Sequence, residues 1–187
     1  MDKRQCILEA TAELIAEHGL QSCPMSAVAR QAGCGAGTIY RYFETKDELV
    51  QELYLELMKR MTEHCLTDYD GSACVKLRFF QFWGNFYRYM RTNPRDCALL
   101  EQMSACPAIT DGTMERAATA LHEVVFGILQ DGQAQQVLKA CPEKVLSTFV
   151  YGALSTLAKK YNCAPELMGE ELEAQQLLAL CWDGIKA

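Results

Sequence analysis

Residues 33–49 read GCGAGTIYRYFETKDEL. The stretch gathers the glycines Gly33, Gly35 and Gly37, the hydroxyls of Thr38, Tyr40 and Tyr42, the guanidinium of Arg41 and the ammonium of Lys46. These groups contain no activated nucleophile and no acid–base pair. What they can do is grip an anion. Hydroxyls and cationic N–H groups donate hydrogen bonds to phosphate oxygens, and glycines let a backbone come close. The chemistry on offer is that of a surface for a phosphate backbone.

Little else in the chain competes with that reading. There is no HExxH, no GxSxG, no phosphate-binding glycine loop and no paired catalytic His and Cys. The ten cysteines lie nine or more residues apart, which leaves no CxxC pair, and His18, His64 and His122 have no metal-ligand spacing. No enzyme, no metal and no cofactor is expected. The start of the chain, MDKRQCILEA, opens an amphipathic helix rather than a signal peptide, so the cysteines are expected to be reduced and mostly buried. Cys34, beside the glycine turn, is expected to be a small buried apolar side chain. No apolar run approaches the roughly 18 residues of a membrane span, so a cytoplasmic protein without a membrane partner is expected.

Bulk charge points away from a protein that is basic throughout. The formal net charge is −6 over 187 residues, and the first 64 carry −3 of it. Residues 26–46 invert the sign: Arg30, Arg41 and Lys46 against Glu44 leave +2. Phosphate contact depends on where charge sits rather than on its sum. Half of the residues are apolar, enough for a sizeable core.

Helical periodicity supplies the elements that must hold this stretch in place. Ile7, Ala10, Leu14 and Ile15 share one face of a helix over 3–18, and Gly19 stops it. MSAVARQAG gives a short helix with Pro24 at its first position and Gly33 at its end. A second short helix carries Thr38, Tyr40, Arg41 and Tyr42, with Ile39 and Phe43 turned to the core. Thr45 and Glu48 match the S/T-x-x-E capping box, so a long helix starts near Lys46 and runs along Leu49, Leu53, Leu57 and Met61. Two short helices about a glycine turn make a helix-turn-helix.

Beyond a linker at 66–72 the pattern stays helical. Helices are expected over 73–92, from Pro94 to Cys106-Pro107, over 113–131 with a stop at Gly132, from Pro142 onward, and over 168–184. EELE at 170–173 reads as a solvated helix edge. No strand alternation occurs, so the expected fold is all-α with about nine helices.

Ala29–Leu49 fits the pattern A-x-x-A-G-x-x-x-G-T-[IL]-Y-x-[YH]-F-x-x-K-x-x-L, and ILEATAELIAEHGL precedes it as a first helix. Over residues 5–60 the chain resembles the TetR family of bacterial transcriptional repressors. That resemblance implies a three-helix DNA-binding domain over 1–47. Helix four (46–64) then leads into a ligand-binding and dimerisation domain over 48–187. It also implies the DNA contacts: Gly35, Ala36 and Gly37 at base edges, Thr38 and Tyr40 on phosphates, Arg41 and Tyr42 on bases or backbone. Lys46 would meet a phosphate at the N-terminus of helix four. Family members often have Thr where this chain has Pro24, so a hydroxyl there would come from Ser22 or Ser26. With Gly and Ala at the base-edge positions, discrimination falls to Arg41, with a thymine-methyl contact from Ala36.

The C-terminal two-thirds resembles, through NPRDCALLEQ and EKVLSTFVYGALSTLAKKY, the branch whose regulators respond to fatty acids or other lipophilic compounds. The pocket implied has Phe79, Phe82, Trp83, Phe86, Met103, His122, Phe126 and Tyr151 as walls, with Arg78, Gln102 and His122 as polar candidates. The same aromatic stripe would serve equally as core. Phe149, Gly152, Ala153 and Thr156 share one helix edge, and with Leu177 and Leu180 they would form a four-helix homodimer interface. A dimer lets two recognition elements read a palindromic operator. The expectation is a dimeric repressor released by a small lipophilic effector, nucleoid-associated when bound to DNA. An enzyme acting on an aromatic-cavity substrate, and a helical lipid-binding protein with a decayed DNA-binding element, are the other classes.

Overall fold

A computed structural model describes residues 2–168 and 172–187. Among them are nine α-helices and, outside these, one isolated antiparallel bridge between Leu138 and Lys186. Of the solvated edge expected at 170–173, residues 170 and 171 lie outside the described residues. Packing divides the chain into two compact units, one of residues up to Lys59 with Arg95–Ala118, the other of Arg60–Pro94 with Thr119 onward. This division is by compactness, whereas the expected boundary between 47 and 48 is by role.

In the first unit, α1 (Lys3–His18) buries Ile7, Ala10, Leu14 and Ile15 as expected, and also Leu8, Thr11 and Ala12. The buried Thr11 hydroxyl is satisfied by the Ile7 carbonyl at 2.7 Å. Gly19, at φ 78°, closes the helix with its N–H on Ile15 O. A 3-10 turn, Leu20–Ser22, leads to α2 (Met25–Gln31), where Pro24 is the N-cap rather than the first helical residue. The extended backbone of Pro24 (ψ 153°) is the conformation an N-cap requires.

The second short helix, α3, spans only Ala36–Ile39. Tyr40, Arg41 and Tyr42, expected on the helix, lie on hydrogen-bonded turns just beyond it. The cause is the next element. α4 (Lys46–Cys65) needs a non-helical cap, and Thr45 Oγ1 accepts the Glu48 N–H at 3.0 Å. The Glu48 carboxylate reaches back one residue further than a standard capping box, to the Glu44 N–H at 2.6 Å. Leu49, Leu53 and Leu57 are all buried to within 1 %. Each such side chain contributes about 1.5–3 kcal/mol over leaving it in water. α6 (Pro94–Ser104) stops short of the Cys106-Pro107 end expected for it. It is fixed by Arg95, which bonds Glu9 on α1 at 2.7 Å.

In the second unit, α5 (Val75–Thr92) packs on α8 (Glu143–Cys163) and α9 (Ala174–Ile185), with the later part of α7 (Asp111–Ala134) beside them. α7 does not stop at Gly132. That glycine is needed for a close approach instead: a Cβ there would lie 2.5 Å from Leu138 Cδ1. α9 starts at Ala174, not near 168, because Glu173 and Gln176 form a capping box across its first turn. Buried Asn85 holds the end of α4 and the following linker through the carbonyls of Cys65 and Thr67, at 3.2 and 2.7 Å.

Candidate nucleic-acid interface

The turn between α2 and α3 is built around one glycine. Gly33 is at φ 59°, a left-handed conformation that side chains resist. Its N–H bonds Arg30 O at 3.2 Å and the Cys34 N–H bonds Ala29 O at 2.9 Å, the paired bonds of a Schellman helix end. Gly35 and Gly37 differ from it. Neither has positive φ, and a Cβ added at either would meet nothing within 4 Å. Ala36 opens α3 between them, and its side chain lies outside what the structure describes. Cys34 is half-buried rather than fully enclosed.

The segment that follows is pinned at both ends and open between. Ile39 is fully buried and Phe43 1 % exposed, four residues apart, and the Arg4 guanidinium lies 5.6 Å over the Phe43 ring. Between these anchors Tyr40 is 54 % and Tyr42 42 % exposed, and Arg41 is exposed with no ion-pair partner among the described residues. Thr38 is half-buried and Ser26 exposed. Four residues after Ser26, hence on the same face of α2, stands Arg30, also exposed and without an ion-pair partner among the described residues. Its spacing from Ser26 was the signal by which the sequence could have added it to the candidates.

Lys46 is partly committed. Its Nζ donates to Leu20 O at 2.9 Å, tying the α1–α2 connection to the start of α4, which leaves two further donors on the ammonium. Its charge lies close enough to Cys23 to oppose the effect of burial, which raises that buried thiol. Neither Ser22 nor Ser26 caps α2.

The residues expected to line a pocket separate into groups. Phe79, Phe82, Trp83 and Phe86 form a chain of rings along α5, with Phe82–Trp83 at 5.2 Å and Trp83–Phe86 at 5.6 Å. Tyr151 joins it at 5.5 Å from Phe86, although half of its surface is exposed. Met103 is fully buried and belongs to the first unit, and the other walls belong to the second. His122 is exposed, 5.7 Å from the half-buried Phe126. Of the polar candidates, Gln102 sits in the first unit, and Arg78 is engaged by Asp131 at 2.5 Å and Tyr69 at 3.1 Å. A residue that spacing did not single out is His64. Its Nε2 is buried without a hydrogen-bond partner among the described residues, and its ring lies 5.4 Å from Tyr89.

Of the expected dimer residues, Phe149 and Leu180 are 51 % and 62 % exposed, Thr156 is exposed, and Gly152 and Ala153 are half-buried. Leu177 is 3 % exposed, a core residue of its own unit. Val145, one turn before Phe149, is 58 % exposed and extends the apolar edge. The Phe149 ring lies against Gly184, where a Cβ would come within 2.9 Å, so the exposed edges of α8 and α9 adjoin.

The profile described as "Bacterial regulatory proteins, tetR family" matches residues 7–53, and "Tetracyclin repressor-like, C-terminal domain" matches residues 74–186. An HTH-type transcriptional regulator of Haemophilus influenzae is 30 % identical over 110 residues, 59 % of this chain and 59 % of that protein's length. A TetR-family protein from Vibrio parahaemolyticus superposes with a TM-score of 0.82 at 28 % identity, over 100 % of this chain and 99 % of the other. The regulator FadR from Bacillus subtilis, solved with stearoyl-CoA, shares the fold at a TM-score of 0.78 and 20 % identity, over 97 % and 98 % of the two chains.

Proposed function

Because this chain belongs to the TetR family of bacterial regulatory proteins, and is a regulator rather than an enzyme, we propose that it is a dimeric repressor that a small lipophilic ligand releases from a palindromic operator. The observation that carries the DNA-binding half is the Tyr40–Arg41–Tyr42 segment, exposed between the buried anchors Ile39 and Phe43, beside two glycines with open space around them. Arg41 supplies the bidentate donor that reads a guanine edge, and the tyrosine and threonine hydroxyls and Lys46 hold phosphates. Ser26 and Arg30 extend the same surface.

Two further observations support the rest. The adjoining apolar edges of Val145, Phe149 and Leu180 favour a second copy as their cover, and a dimer presents two reading elements to half-sites about 34 Å apart. The His64 Nε2, without a hydrogen-bond partner among the described residues and in a unit rich in aromatic side chains, offers a polar anchor to an otherwise apolar ligand. FadR, solved with stearoyl-CoA, makes a long-chain acyl compound the first effector to try. Such a ligand would act through α4, a helix that runs from the first unit into the second, and only a differential affinity for the bound and released states produces release. No described helix is long and apolar enough to cross a membrane, and the proposed place of action is the cytoplasm, at the nucleoid when bound.

Fluorescence anisotropy against DNA of the gene's own upstream region, across a salt titration, tests this reading. Tight binding with a steep salt slope, lost in Arg41→Ala, is the expected result. Binding no better than to a scrambled duplex sinks the repressor reading. An acyl-CoA that binds tightly yet leaves operator affinity unchanged sinks the release step alone.

A further inference from the structure

The first turn of α1 sends three successive side chains to different places. Lys3 Nζ donates to the carbonyls of Ala32 and Gly33, each at 3.3 Å. Arg4 pairs with Glu52 on α4 and covers the Phe43 ring. Gln5 Nε2 lies 3.5 Å from Glu56 Oε1, also on α4. Ala32 is the C-cap of α2, and Gly33 is the left-handed residue from which the chain departs for α3. Carbonyls at a helix C-terminus lack intrahelical partners and carry partial negative charge, which a lysine complements. One end of this arrangement therefore grips the joint ahead of the reading segment, and the other grips α4.

We propose that Lys3 is a positioning residue of the DNA-binding surface: it holds the α2–α3 joint against the first turn of α1, and so aims residues 35–42, without touching DNA itself. The proposal rests on the DNA-binding reading above. A lysine this near a DNA-facing turn has an obvious alternative role as a phosphate contact, and the two roles differ in their salt dependence. A phosphate contact contributes to the slope of affinity against salt, whereas a positioning residue contributes to discrimination between sequences.

The test uses the full chain as wild type, Lys3→Gln and Lys3→Arg. Each is measured by anisotropy over a salt series on a duplex that wild type selects from a randomised pool, and on a scrambled duplex. Amide exchange is followed in parallel. Lys3→Gln is expected to lose roughly tenfold on the selected duplex, the size of one mismatched base pair, and to stay within about twofold on the scrambled one. Its salt slope should match wild type, and Lys3→Arg should restore the discrimination. The Gly33 and Cys34 amides should exchange faster in Lys3→Gln while those of α4 keep their rates. A slope lower by about one unit identifies a phosphate contact and overturns the proposal. Equal loss on both duplexes, or unchanged exchange at Gly33 and Cys34, overturns it as well. A wild type that selects no duplex at all overturns the DNA-binding reading first, and this proposal with it. That outcome is visible before any variant is made.

Discussion

Three glycines within five residues do not share one role, and substitution should separate Gly33 from Gly35. Gly33 is conformationally required, so Gly33→Ala is expected to cost about 1–2 kcal/mol in urea unfolding. Gly35 has no positive φ, and a Cβ added there would meet nothing within 4 Å, so Gly35→Ala should leave stability unchanged or slightly raised. On the proposed DNA contact it should nevertheless weaken operator binding, because the added methyl would stand between the backbone and DNA. An unfolding midpoint lowered equally by both changes contradicts this account. The spacing of the glycines was legible in the sequence. Which of them is strained was not, since φ depends on how Cys34 N–H and Gly33 N–H find carbonyls in α2. Cys97 makes a second prediction at this scale. Burial, and next the Asp96 carboxylate beside it, push its thiol up to about 11. The folded chain then holds that proton more tightly than the unfolded chain does. The resulting stability is complete below the ordinary thiol pKa of about 8.5 and is lost as pH climbs toward 11. Urea midpoints should fall over that window, less so in Cys97→Ala, and iodoacetamide should reach exposed Cys74 and Cys163 before Cys97.

Helix boundaries show where local pattern suffices and where it fails. The start of α4 was readable because Thr45 and Glu48 state it within four residues. The start of α9 was equally available in Glu173 and Gln176, but a glutamate in the capping position is easily passed over. Gly132 is different in kind. Read locally it is a helix stop. Its actual role is to admit Leu138, which folds back from beyond the end of α7 while the Leu138 backbone pairs with Lys186. No local pattern contains that partner. Gly132→Ala should therefore cost about 1–3 kcal/mol by overpacking, and Leu138→Ala in the same chain should recover part of the loss. Additive losses in the double mutant, measured by chemical denaturation, would show that the two residues do not meet. The reading segment failed in the opposite direction. Alternation of buried Ile39 and Phe43 with exposed residues was correctly inferred, but the helix ends at Ile39 because the cap of α4 follows so closely.

For the molecule as a whole, the family and the all-helical fold were legible because the motif over residues 29–49 is long and its fixed positions carry backbone constraints. The second unit was legible only as a set of helices. Its aromatic residues satisfy the requirements of a core and of a ligand wall alike, and Met103, expected among those walls, belongs to the first unit. Self-association offers the sharper experiment. Leu180→Glu, at a 62 % exposed position, should give a folded monomer by light scattering with operator affinity reduced at least tenfold. Leu177→Glu, at 3 % exposure, should instead unfold the chain. A Leu180→Glu protein that remains dimeric removes the α8–α9 edge from the interface. The charge pattern bears on how such a regulator would find its target. A body of net −6 with a patch of +2 around residues 26–46 is repelled by nucleic acid in most orientations. Such repulsion would weaken non-specific binding to bulk chromosome. More of its copies would then be free to search, so on the proposed repressor reading a cell could keep a single operator occupied with few molecules.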